Sequence, residues 1–320
     1  MSALPPPAQL WGLVKGMMAT QAVRVVAQLR VADALAAGPR PVDELADEAG
    51  VDADALYRFL RALATEGVFF EEDGRRFRNT PASELLRTDG DERWHEFALQ
   101  FGGDWYRAFA DAPAAVRGEE HAFLRVFGCS FEDWLRRTPE ALALFNRSME
   151  GGAAERVERI AGLSWDAELV VDVGGGTGRM LEELLRRHPS LRGVLFDLPE
   201  VVEQADVPDQ CEAVAGSFFD GVPAGDAYVL SRILHGFDDE TAAGILAKIR
   251  QAARPGARVL IIDAVLPEGN EPHGNKWLDL LMLILSGGRE RTESEWRALV
   301  EGAELRMESI EDGLVQARCR

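Results

Sequence analysis

Leu169-Val170-Val171-Asp172-Val173 runs directly into Gly174-Gly175-Gly176-Thr177-Gly178. The five-residue run is apolar apart from one carboxylate, as in a strand covered on both faces of a sheet. Glycines at 174, 176 and 178 permit a tight turn and close backbone approach of a ligand ahead of a helix N-terminus. The spacing is G-x-G-x-G, not the G-x-G-x-x-G of the dinucleotide fingerprint. Asp172 stands two positions before the loop, where a carboxylate suits a cationic ammonium better than a pyrophosphate. The plainer alternative is a structural turn, since glycine turns after strands are common.

Outward from this stretch, short apolar runs recur at Gly193 to Asp197, Cys211 to Ala215, Ala227 to Leu230 and Arg258 to Asp263. Helical stretches separate them, notably Thr177 to His188 and Asp239 to Ala253. Strand alternating with helix predicts a parallel α/β sheet with right-handed crossovers. Leu305 to Ile310, Asp312-Gly313 and Leu314 to Arg318 read as a hairpin added at the sheet edge. The second strand ends in Asp197, 23 residues after Gly174, a spacing at which an acid accepts both hydroxyls of a ribose. His235 follows the fourth strand, where sites of α/β sheets lie. Histidine is the side chain best suited to take a proton near neutral pH. A solvated strand-end Asp197 and a structural His235 are the bland alternatives.

The N-terminal part differs. Gln21 to Ala36 carries apolar residues at helical spacing, Pro41 to Leu45 opens a short helix closed by Gly50, and Asp52 caps a third with Leu56, Phe59, Leu60 and Leu63 on one stripe. Val68 to Phe70 and Arg76 to Arg78 flank Asp73-Gly74, a hairpin signal. Three helices and a hairpin make a winged-helix plan. As a DNA reader it would need a basic recognition helix, yet Asp52 to Glu66 sets Arg58 and Arg61 against Asp52, Asp54 and Glu66. Packing and dimerisation is the reading the charges favour over a ligand-sensing regulator. Residues 94–162 are helical and aromatic-rich, either core or the lining of a pocket for a flat ligand. The expected division is 1–93, 94–162 and 163–320.

The 320 residues carry a formal charge of −19, which opposes binding to nucleic acid or anionic membrane. Only Lys15, Lys248 and Lys276 among the 35 basic residues are lysine, a codon skew of a GC-rich bacterial genome. Cys129, Cys211 and Cys319 are scattered without CxxC spacing, so neither a disulfide framework nor a zinc site is expected. With no leader pattern and no apolar run of about 18 residues, the chain reads as a soluble cytoplasmic protein.

Together these segments (VVDVGGGTG, GVLFDLPEVV, GSFFDGVP, LSRILHGFDDE and LDLLMLILSGGRERTESEW) resemble the S-adenosylmethionine-dependent O-methyltransferases of the plant caffeate and bacterial polyketide type. The resemblance covers essentially the whole chain. It implies a Rossmann-like class I sheet with an antiparallel C-terminal hairpin, preceded by a mainly α winged-helix domain that forms a homodimer. It implies methyl transfer without a metal to a small aromatic or polyketide-type acceptor, yielding S-adenosylhomocysteine. Carried over residue by residue, Asp172 and Gly174, Gly175 and Gly176 would hold the methionine end. Asp197 and Leu198 would hold the ribose, Ser217 and Phe218 the adenine, with Ser231 and Arg147 touching the cofactor. His235 matches the general base, and Asp263 and Glu290 the acids that orient it. Phe101, Trp105, Phe145, Met149, Trp277 and Met282 would line the acceptor site. Three positions depart from the family pattern. His235-Gly236-Phe237 replaces His-Asp-Trp, Ser217 replaces an aspartate and Ser231 a lysine. A relative that uses the cofactor for hydroxylation or rearrangement is the alternative reading.

Overall fold

The structure, a computed structural model, describes residues 5–320. They form two compact units, one running to Arg107 and taking in Ala143–Gly151, the other comprising Ala108–Leu142 and Gly152–Arg320.

In the first unit, helices Gly16–Gln28, Val31–Ala34, Val42–Ala49 and Ala53–Thr65 pack beside a hairpin of Phe69–Glu72 and Arg76–Asn79. Arg40–Pro41 adds a short third strand. Asp52 accepts from the Ala55 amide at 2.7 Å, capping its helix as the sequence predicts. Val26, Leu35, Leu45, Leu60, Phe69 and Phe77 are core. The single helix expected over Gln21 to Ala36 is broken at Arg30, whose φ is 53°. The apolar phase explains the break. Val26 and Ala27 precede Val31 and Ala32 by five residues, which an unbroken helix would turn by about 140° beyond a full revolution. One left-handed residue returns both pairs to the core. Helix Pro6–Val14 buries none of its residues, leaving Leu10, Trp11, Leu13 and Val14 exposed.

The second unit is built on seven strands: β1 (Leu169–Val173), β2 (Arg192–Asp197), β3 (Cys211–Ala215), β4 (Ala227–Ser231), β5 (Arg258–Ile262), β6 (Arg306–Glu311) and β7 (Leu314–Arg318). Their order is β6-β7-β5-β4-β1-β2-β3. The first five are parallel, and the last two form the antiparallel edge hairpin. Helix α1 (Arg179–Arg187) buries Met180, Leu181, Leu184 and Leu185 on one face of the sheet together with Val157 and Ile160. Helices α2 (Asp239–Ala252) and α3 (Glu293–Gly302) bury Ile245, Leu246, Ile249, Trp296 and Val300 on the other. Two-sided burial is why the central strands read as continuous apolar runs. The strand order reverses between β1 and β4, and that switch point opens a crevice at the strands' carboxyl ends.

Candidate active site

Asp172 sits inside β1, 1 % exposed, and neither carboxylate oxygen has a hydrogen-bond partner. Burial first, then the charge of Asp197, push its pKa from 3.8 up to about 7, against the pull of Arg156. Glycine is sterically required at the first two positions of the loop that follows. A Cβ on Gly175 would strike Leu195 and lie 2.6 Å from Asp172 Oδ2, and one on Gly174, at φ +71°, would strike Ile233. The Gly174 amide donates to Phe196 O at 2.8 Å, tying the loop to β2. A buried carboxylate without donors, next to backbone that nothing but glycine can occupy, fits the cationic ammonium of an amino-acid group.

Asp197 ends β2. Its Oδ2 accepts from the Gly176 amide at 2.8 Å and its Oδ1 from the Leu198 amide at 2.7 Å. Each oxygen keeps lone pairs for further donors. Burial raises its pKa while the two amides hold it back. Ser217 and Phe218 follow β3, and Phe218 lies beside Gly174. Its ring meets Phe219 and Phe237 edge-on at 4.7 and 5.8 Å. Phe237 thus joins an aromatic group at the glycine loop, and Gly236 has open space where a side chain would stand. Ser231, the last residue of β4, has a buried hydroxyl with no partner.

His235 lies in a short 3₁₀ turn, Leu234–Gly236, just after β4. Its Nδ1 is 2.9 Å from Glu290 Oε1 and 4.0 Å from Asp263 Oδ1, both carboxylates being almost fully buried. The Glu290 contact makes Nδ1 the donor and leaves Nε2 as the acceptor. Burial alone would lower the imidazole pKa. The charge of Asp263 and the hydrogen bond and charge of Glu290 outweigh it, so the pKa is raised despite Arg232. Asp263 itself, buried and without hydrogen bonds, is pushed up to about 6. The Glu290 amide donates to Asp279 Oδ1 at 2.8 Å, on helix Asn275–Leu285.

The structure therefore gathers Asp172, the glycine loop, Asp197, Phe218, Ser231, His235, Asp263 and Glu290 in the second unit. Trp277 and Met282 stand in the same unit on helix Asn275–Leu285. The Trp277 indole is 64 % exposed and lines a surface cleft with the loop Gly269–Gly274. Arg147, Phe145, Met149, Phe101 and Trp105 belong to the first unit. There Arg147 lies 3.8 Å from the buried Glu96, and Phe101 meets Trp105 edge-on at 5.0 Å. Two features escaped sequence reasoning. Arg232 takes φ 58°, a left-handed conformation rare for a side-chain-bearing residue, and its charge faces Asp263 and Glu290. Its place one residue past β4 is the signal that could have flagged it. Arg291 is wholly buried, which nothing in the charged run Arg289-Glu290-Arg291 announces.

Residues 106–306 match the model of the O-methyltransferase domain and residues 11–89 that of the O-methyltransferase dimerisation domain. The chain is 38 % identical to a phenazine O-methyltransferase of Lysobacter antibioticus, over 96 % of this chain and 93 % of the relative. It is also 38 % identical to a 3-amino-4-hydroxybenzoate 4-O-methyltransferase of Streptomyces cremeus, over 93 % and 85 % respectively. A crystal structure of an O-methyltransferase from neocarzinostatin biosynthesis, in complex with S-adenosylmethionine and 2-hydroxy-5-methyl naphthoic acid, superposes with a TM-score of 0.81 at 33 % identity. It covers 94 % of this chain and 95 % of that one.

Proposed function

This chain belongs to the O-methyltransferase family, and we propose that it methylates a hydroxyl of a small, flat aromatic or polyketide-type acceptor in bacterial secondary metabolism, with His235 as general base. Bound S-adenosylmethionine supplies an electrophilic methyl group carried on a positively charged sulfur. Asp172 would pair with the ammonium of its methionyl end, and Gly174 to Gly176 would wrap that end closely. Asp197 and Leu198 would hold the ribose, Ser217 and Phe218 the adenine, with Ser231 and Arg147 as further contacts. Phe101, Trp105, Phe145, Met149, Trp277 and Met282 remain the proposed acceptor-facing residues. The three-part division at residues 93 and 162 assigns dimerisation, lid and catalysis in turn. The homodimer forms through the N-terminal helices, whose unburied apolar side chains and dimerisation-domain match support it.

His235 takes the acceptor's proton at Nε2 while its Nδ1–H stays on Glu290. A phenol near pKa ~10 is a poor donor to a free imidazole near ~6.5. Two buried carboxylates narrow that gap by stabilising the imidazolium, Glu290 through a 2.9 Å hydrogen bond and Asp263 through its charge. The observation that carries this reading is that hydrogen bond, because it fixes the tautomer that can act as a base. Turnover should fall at least ~10²-fold in His235→Ala with S-adenosylhomocysteine affinity unchanged. Unchanged turnover with an aromatic hydroxyl acceptor would remove His235 from the mechanism. Formation of S-adenosylhomocysteine equimolar with methylated product separates this chemistry from hydroxylation or rearrangement, neither of which the relatives support.

A further inference from the structure

Arg291 is the only arginine buried from solvent among the described residues. Its Nε donates to Asp239 Oδ1 at 2.9 Å, and its guanidinium lies 5.1 Å from the Trp296 ring centre. Nη1 donates to the carbonyls of Leu234 at 2.9 Å and Arg289 at 3.3 Å, and Nη2 to that of Phe237 at 2.9 Å. Leu234 and Phe237 bracket His235 and Gly236. The carbonyl between them, that of His235, accepts from the Arg289 amide at 2.8 Å. Gly288 lies so close beneath that a Cβ there would stand 2.7 Å from Gly236 O. Four consecutive residues, 288 to 291, thus grip four others, 234 to 237.

We propose that Arg291 is a positioning residue for the proposed base, its guanidinium clamping both ends of the His235 turn so that the ring stays in register with Glu290. Stability alone does not call for a cation here, because apolar residues of similar volume commonly replace a buried ion pair without loss. Its partner Asp239 is also half-exposed on its own side. The planar fork supplies what an alkyl chain or ammonium lacks, donors spaced to hold two carbonyls at once. Glu290 lies immediately before the short strand Arg291–Thr292, and the two neighbouring side chains make contacts on different sides of the His235 turn. Glu290 therefore reaches the ring while Arg291 reaches under the turn, and one short segment holds both the acid and the frame of its base.

This inference rests on the base assignment above, and its test includes a readout independent of turnover. The His235 ring is titrated by NMR in ligand-free wild type, Arg291→Ala and Arg291→Lys, and kcat and S-adenosylhomocysteine affinity are measured alongside. The charged groups facing the ring, Asp263, Glu290 and Arg232, are not substituted, and Arg291→Lys keeps the positive charge that Arg291 presents to Asp263, so a fall in that variant reports register and not charge. Losing a nearby positive charge by itself raises a histidine pKa. Losing register with Glu290 lowers it, so the two effects have opposite signs. A lower His235 pKa is expected in both variants, with kcat down about 10²-fold in Arg291→Ala, affinity unchanged, and partial recovery of both kcat and the titration on adding guanidinium ion. A smaller loss is expected for Arg291→Lys. A His235 titration equal to or above wild type in a folded variant overturns the proposal, and Arg291→Lys decides it if Arg291→Ala does not fold. If His235→Ala keeps its turnover, the base assignment fails, while the titration still reports whether Arg291 holds the ring.

Discussion

Replacing Asp172 by Asn should stabilise the ligand-free protein and cripple cofactor binding, and the pH dependence of the first effect is calculable. The carboxyl is 1 % exposed, without hydrogen bonds, and its pKa is raised from 3.8 to about 7. An acid whose folded pKa is raised destabilises the fold wherever it would be ionised in the unfolded chain. The penalty is absent below pH 3.8, grows between 3.8 and about 7, and is constant above. At about 1.36 kcal/mol per pKa unit, the full penalty is about 4 kcal/mol at pH 8 and only about 2 kcal/mol at pH 5. The asparagine amide, itself short of partners, costs about 1–3 kcal/mol at every pH. That term cancels when the two pH values are compared. The stability of Asp172→Asn relative to wild type, from urea unfolding followed by tryptophan fluorescence, should therefore rise by about 2–3 kcal/mol between pH 5 and pH 8. Calorimetry on the same variant should show S-adenosylhomocysteine affinity down about 10–10²-fold, the worth of a charge-assisted hydrogen bond. A stability difference independent of pH would refute the reasoning, because it would mean that Asp172 keeps an ordinary carboxylate pKa in the fold and has no need of a cationic partner.

Glu290→Gln removes the charge 2.9 Å from His235 Nδ1. Bare Coulomb attraction at an effective dielectric of 20 sets a ceiling of about 6 kcal/mol, whereas net hydrogen bonds to charged groups are worth about 1.5–3 kcal/mol. Because the carboxylate raises the imidazole pKa, its loss should move the acid limb of kcat/KM to lower pH and lower the plateau about 10–10²-fold. An acid limb that stays in place would shift the pairing to Asp263. Gly175→Ala forces a methyl against Leu195 and Asp172. It should weaken S-adenosylhomocysteine binding at least ~10-fold while the protein still folds, read by calorimetry and melting temperature. Wild-type affinity there would show that the loop does not wrap the cofactor.

Much of the architecture was legible because it is local. Apolar runs of four to six residues located β1 to β5 within a residue of their observed ends. The glycine loop, the acid 23 residues on and a histidine past the fourth strand marked the crevice at the sheet's switch point. Dimerisation helices and hairpin followed from caps and a turn, except at Arg30, where a change of apolar phase forces a left-handed break that helical periodicity does not announce. What periodicity could not reach was long-range approach. Glu290 entered only through resemblance, since 55 residues separate it from His235. Arg291 stands in a charged run that carries no signal of its burial. The missing donors of Asp172, the raised pKa of His235 and the burial of Arg291 depend on which groups the fold brings within a few ångströms and on how much water it removes there. By itself the sequence determined the sheet, the crevice at its switch point and the chemical types placed along it. Tertiary structure alone decided their charge states and register, because both depend on distance and desolvation, which are properties of the folded chain.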